Sequence, residues 1–129
     1  MALQELAGAG SSTLRAVGDR WLETMQERWE SSVMLWPEGA QAWPASALEE
    51  LTEGHFEAAL TTSPQLLLLA TGPRLRFPDS RLLAGLRQRG IGVEVMDQHA
   101  AARTFNLLLA EGRRVTALFL IEDLPGPIR

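Results

Sequence analysis

The stretch QLLLLATGPRLRFPDSRLLAGLRQRGIGVEVM, residues 65–96, decides the fold. It opens with Gln65–Ala70, a continuous leucine run of the kind found in a strand covered on both faces. Gly72 and Pro73 then break the chain, and Asp79 or Ser80 stands where a helix N-cap belongs. From there to Gly90, Leu82, Leu83 and Leu86 make an apolar stripe, with Arg81, Arg87 and Arg89 on the wet side. Ile91–Met96 reads as the following strand. Strand, helix and strand within about 30 residues make a βαβ unit, which predicts two parallel strands joined by a right-handed crossover.

Outward from this unit the pattern continues on both sides. Downstream, Asp97 or Gln98 caps a second helix on which Ala101, Phe105 and Leu108 share a face, and Gly112 closes it. Val115–Ile121 is the final strand. Upstream, Thr52 caps a short helix from Glu53 to about Thr61, weakened by Gly54 and stopped by Pro64. Before Pro44 the chain reads as short strands. Thr13–Val17 leads through the Gly18-Asp19 turn to Arg20–Met25, and Ser32–Trp36 is stopped by Pro37-Glu38-Gly39. The predicted class is α/β, with a central mixed sheet, helices on both of its faces and an N-terminal antiparallel β-element. One domain is expected over residues 12–121, between a flexible N-terminus (1–11) and a flexible tail (122–129).

Composition limits the chemistry. The 129 residues include no cysteine, no lysine and no tyrosine, and are enough to fold on an apolar core without staples. Disulfides, thiolate nucleophiles, Schiff-base lysines and Walker-type phosphate lysines are thereby excluded. Arginine used in place of lysine suggests a GC-rich bacterial genome. Net charge is −4, so nucleic acid is not an expected partner of the surface as a whole. Residues 1–63 carry 10 acids and 3 arginines, whereas 64–129 carry 6 acids and 9 arginines. Any anion or acidic partner would therefore be expected at the second half, although helix faces that simply differ in charge are the preferred reading. Met1–Gly10 has neither a secretory nor a mitochondrial targeting pattern, and no apolar run is long enough to insert in a membrane, so the expected compartment is the cytoplasm.

Ligands of open α/β sheets gather beyond the carboxyl ends of parallel strands. Two such ends can be named. One is the loop Thr71-Gly72-Pro73-Arg74-Leu75-Arg76, with a glycine for close backbone approach and two arginines for an anion. The other is Asp97 at the start of the last helix, followed by His99, Arg103 and Asn106 on one stripe. Thr71, Gly72, Arg74, Arg76, Asp97, His99, Arg103 and Asn106 are thus expected to face a single crevice able to take a small anion. As chemistry, Asp97 or His99 would be a general base and Arg103 an oxyanion or phosphate clamp. As structure, Asp97 is an N-cap and Asn106, the only asparagine, satisfies a buried backbone group. The structural use is preferred. His55 and His99, the only histidines, are 44 residues apart, and no metal or other cofactor is expected. Trp21, Trp29, Trp36 and Trp43 all fall in the N-terminal third, as core-edge anchors or, alternatively, as a partner surface.

A family resemblance rests on quoted segments of the second half. These are Leu67–Gly72, Arg76-Phe77-Pro78, Gly90–Asp97, Ala100–Leu108 and Glu111–Val115. They resemble the MTH-domain family, a domain of unknown function in bacterial and archaeal proteins. That family also contains the mitochondrial respiratory complex I assembly factor and the adipogenesis-associated MTH-domain protein. The resemblance implies a three-layer fold whose mixed central sheet has its last strand antiparallel to its neighbours. Two positions depart from the family pattern: Ala70-Thr71-Gly72 replaces Gly-Thr-Gly, and Asp97-Gln98 replaces Asp-Thr, which removes a small hydroxyl from the expected pocket. Taken with the lack of catalytic signatures, the resemblance implies a non-enzymatic protein-interaction or complex-assembly factor. Its partner would be an unidentified protein or a second copy of the chain. The alternative expectation is a small-anion binder or weak enzyme that uses the arginine-lined crevice.

Overall fold

Within residues 12–122, which the computed structural model describes, short strands come first and helices alternate with strands afterwards. The strands are β1 (Leu14–Val17), β2 (Leu22–Thr24), β3 (Arg28–Trp29), β4 (Val33–Trp36), β5 (Gly39–Ala42), β6 (Leu66–Ala70), β7 (Gly92–Met96) and β8 (Val115–Phe119). The α-helices are α1 (Glu57–Leu60), α2 (Ser80–Gln88) and α3 (Gln98–Ala110). β1, β2 and β3 make a small antiparallel sheet, and the other five form a mixed sheet in the order β5-β4-β8-β6-β7. The expected flexible segments, 1–11 and 122–129, lie outside the described residues except for Glu122.

The βαβ reading of residues 65–96 matches the observed pairing: β6 and β7 are parallel, with Leu66 opposite Gly92 and Ala70 opposite Met96. One expectation is corrected. The last strand, β8, is antiparallel only to β4 and runs parallel to β6, with Leu66 opposite Val115. The helix α3 carries the chain back along the sheet after β7, so the strand that follows re-enters in the same direction.

Alternation along the central strands separates two cores. Leu67, Leu69, Leu118 and Leu120 face α2, where Leu82, Leu83 and Leu86 meet them with Phe56 and Trp43. Leu68, Ala70, Ala117 and Phe119 face α3, where Ala101, Phe105 and Leu109 pack with Leu14 and Leu22. The fold therefore has three layers, with β1–β3 sharing the layer of α3. Each face of the sheet needs its own cover, which is why the leucine run shows no polar alternation.

One strand and one helix differ from the sequence reading. Pro37-Glu38-Gly39 turns the chain instead of stopping it, and Gly39–Ala42 returns as β5 against β4. Gly-Ala-Gln-Ala has neither branched nor aromatic side chains, so its strand state comes from pairing alone. The weak helix at Glu53 begins as a 3₁₀ turn, Glu53–Phe56, and becomes α1 only afterwards. There the Thr52 N–H donates to His55 Nδ1 at 3.0 Å, closing the first turn.

Candidate functional site

β6 and β8 end side by side, and the loop that leaves β6 is held by its own hydrogen bonds. Thr71 Oγ1 donates to the Arg74 carbonyl at 2.9 Å and accepts the Arg76 N–H at 3.0 Å. Gly72 has φ +95°, a conformation that disfavours a side chain, and its carbonyl accepts the Gln98 N–H at 2.8 Å. Arg76 is fixed from below: its Nη2 lies 2.7 Å from Glu122 Oε1. The second Glu122 oxygen accepts the Leu48 N–H at 2.8 Å.

Beneath this loop is a cavity of about 300 Å³ lined by Thr71, Gly72, Pro73, Arg74, Arg76, Leu120, Ile121 and Glu122, with Asp19 and Arg20 from the β1–β2 turn. Leu120 and Ile121 are its buried apolar lining residues, Leu120 packing into the core on the α2 side and Ile121 into the core on the α3 side. The turn is tied to the site by buried Gln98, whose Nε2 donates to the Gly18 carbonyl. Gln98 thus links the loop after β6 to the turn after β1. Among the described residues, neither Arg20 nor Arg74 has an acidic partner.

The single crevice expected from the sequence is divided in two. His99, Arg103 and Asn106 line a separate depression of about 230 Å³ together with Leu14, Arg15, Ala16, Val17 and Ala102. The two depressions share no lining residue, so Arg103 does not converge with Arg74 or Arg76. β1 lies along α3 beside this stripe, and His99 and Arg103 stay exposed. The Asn106 carboxamide grips the backbone of Leu14, and the Asp97 carboxylate caps α3 by accepting the N–H groups of His99 and Ala100, both at 2.9 Å. Sequence reasoning missed Asp19, Arg20, Leu120, Ile121 and Glu122. Nothing local to Arg20 signals that its hairpin turn folds over a loop 50 residues away.

The tryptophans do not share one face. Trp43 is buried, donates from Nε1 to the His55 carbonyl at 2.7 Å and meets Phe56 edge-on. Trp36 packs beside it on the α2 side, whereas Trp29 joins the α3 side. Trp21 is half-buried with the Arg28 guanidinium 4.1 Å from its ring centroid. A further depression, about 490 Å³, lies at the opposite end of β4 and includes Trp36, Glu38 and Arg114. Arg114 and Glu38 pair there through two bonds of 2.7 and 2.9 Å, and that hydrogen bonding holds the Glu38 carboxyl below its usual range. Among the described residues, no three His, Asp or Glu side chains cluster as metal ligands, and no helix is long and apolar enough to cross a membrane.

Comparisons with known proteins agree with the geometry. Residues 14–120 match the pattern of a family described as "Protein of unknown function (DUF498/DUF598)". The human "NADH dehydrogenase [ubiquinone] 1 alpha subcomplex assembly factor 3" is 37% identical over 94 residues, 71% of this chain and 50% of that protein. The chain thus spans about half the length of this curated relative. An NMR structure from Xanthomonas campestris has a TM-score of 0.79 at 38% identity, covering 88% of this chain and 86% of that one. An NMR structure from Bordetella pertussis, described as a Mth938-like domain, has a TM-score of 0.74 at 30% identity, covering 88% and 87%.

Proposed function

The chain belongs to the DUF498/DUF598 family, and from that premise we propose that it acts through protein contacts, as a non-enzymatic factor in the assembly of a respiratory NADH dehydrogenase. The observation that carries this reading is the 37% identity to the human assembly factor over 71% of the chain. The geometry favours contact over catalysis. Asp97, one of the two candidate bases, is committed as an N-cap to the backbone N–H groups of His99 and Ala100. By contrast, Leu75 and Phe77 stand 50% and 67% exposed on a loop whose neighbours Thr71 and Arg76 are hydrogen-bonded. Large apolar side chains on a pre-ordered loop lose little further freedom when a partner covers them. The partner is a subunit or subassembly of the enzyme being built.

The test is deletion of the gene in its native host, followed by native gel electrophoresis of the respiratory chain. Assembled NADH dehydrogenase should fall several-fold and recover with the wild-type gene. The double substitution Leu75→Ser and Phe77→Ser should fail to restore it while the protein itself stays folded. Wild-type levels of assembled enzyme in the deletion strain would reject the assembly role.

A further inference from the structure

We infer that the cavity beyond the carboxyl ends of β6 and β8 binds an organic monocarboxylate with a short apolar body, its carboxylate held by Arg20 and Arg74. The charge count selects the anion. The cavity is lined by three guanidiniums, of Arg20, Arg74 and Arg76, and two carboxylates, of Asp19 and Glu122, which leaves one positive charge. Glu122 is fully engaged, with Arg76 on one oxygen and the Leu48 N–H on the other. Among the described residues, Arg20 and Arg74 are the lining cations without an acidic partner, and they come from two separate elements, the β1–β2 turn and the loop after β6. With Asp19 offsetting one of these two charges, a single carboxylate balances the other and can accept from both forks.

The apolar part of the lining selects the body. Exposed Pro73, with the buried Leu120 and Ile121 behind it in the lining, offers apolar surface that an inorganic anion cannot use and an alkyl group can. The volume of about 300 Å³ is at the small end of ligand pockets. The site is also built in advance: Gln98 fixes the turn carrying Arg20, and Thr71 accepts and donates across the loop carrying Arg74. This chemistry has two natural sources, a free short-chain acid or a polypeptide C-terminus ending in an apolar residue. The inference does not depend on the assembly role.

The experiment is a ¹H–¹⁵N NMR titration of the full chain with sodium hexanoate, N-acetyl-alanyl-leucine, hexanamide and sodium phosphate at matched ionic strength. At least one of the two carboxylates should give saturable shifts at the amides of Arg20, Gly72, Arg74 and Leu120–Glu122, with a Kd on the order of 1 mM or tighter. Hexanamide should bind about tenfold more weakly or worse, and phosphate should give only a uniform salt drift. The tighter of the two carboxylates identifies the source. Arg20→Gln and Arg74→Gln, both at exposed positions, should each weaken binding about tenfold while leaving the rest of the spectrum in place. The inference is overturned if neither carboxylate saturates at these amides, if hexanamide or phosphate matches them, or if both substituted proteins bind as the wild type does.

Discussion

Asn106 on α3 makes a two-point hydrogen bond with the backbone of Leu14 on β1: its Oδ1 accepts the Leu14 N–H at 2.9 Å and its Nδ2 donates to the Leu14 carbonyl at 2.8 Å. A carboxamide has the same donor and acceptor pair as a peptide group, so the side chain acts as a one-residue strand partner for β1. It docks the small sheet on the helix without a second strand. Because the bond spans 92 residues of chain, it also fixes the N-terminal third against the C-terminal half.

Asn106→Ala removes both bonds and leaves a partly buried peptide group of β1 unpaired. The expected loss is about 2 kcal/mol, read by urea unfolding. Hydrogen exchange at Leu14 should accelerate more than at Leu68 in the central sheet. Asn106→Asp should be as damaging, because a carboxylate keeps the acceptor and turns its second oxygen against the Leu14 carbonyl. A stability equal to wild type in either variant would remove this contact from the account of how the layers are joined.

Gly85 sits inside α2, and a Cβ added there would lie 2.5 Å from Glu53 Oε2 and meet no backbone. Glu53 is exposed, so its carboxylate can swing into solvent. Alanine in a helix interior is favoured over glycine by about 1 kcal/mol. Gly85→Ala should therefore stabilise the protein by about 0.5–1 kcal/mol, seen as a higher Tm. Gly18→Ala should do the opposite. There the new Cβ would collide with the Trp21 indole, which is already stacked under Arg28, and a loss of about 1–3 kcal/mol is expected from the displaced ring.

What could be read from the sequence was set locally. The Leu66–Ala70 strand, α2 and α3 each carry their own periodicity and caps, with Asp79 and Asp97 both accepting backbone N–H groups at the N-cap as expected. β5 has no such signal, because Gly39–Ala42 is a strand only by virtue of β4 beside it. The candidate site divides along the same line. The loop Thr71–Arg76 is visible as punctuation after a strand, but Arg20 enters through a hairpin whose resting place is decided by Gln98 reaching the Gly18 carbonyl. Trp29 and Trp43 stand 14 residues apart with nothing local to assign one to each side of the sheet, and only the strand pairing does so.

Thr71 is buried under the loop that it organises, and its hydroxyl is the only side-chain group there that both donates and accepts within the loop. Thr71→Val keeps the shape and removes both bonds. The Arg76 N–H and the Arg74 carbonyl are then left without partners, at an expected cost of about 1–3 kcal/mol. The loop should also lose its order before the domain unfolds, so amide exchange at Arg76 should rise with little change at Leu67 or Leu118. If exchange rose equally throughout, Thr71 would be supporting the core and not the loop.

Asp79 gives the clearest pH dependence. Its carboxylate caps α2 by accepting the Arg81 N–H at 2.8 Å and pairs with the Arg81 side chain, Nη2 to Oδ2 at 2.8 Å. The Arg81 side-chain hydrogen bond, followed by the backbone one, lowers its pKa from 3.8 to about 2. Both interactions need the charged form, so the folded state binds this proton less readily than the unfolded chain does. The contribution is complete above the unfolded value near 3.8 and disappears as pH falls through about 2. An NMR titration following the Asp79 carboxyl carbon should have its midpoint near 2 in the wild type and move back toward 3.8 in Arg81→Gln. Asp79→Asn should keep much of the cap through its amide oxygen while removing this titration, which separates the cap from the charge. A wild-type midpoint close to 3.8 would mean that Arg81 leaves the carboxylate to solvent, and the acid limb of the stability profile would then have to arise elsewhere.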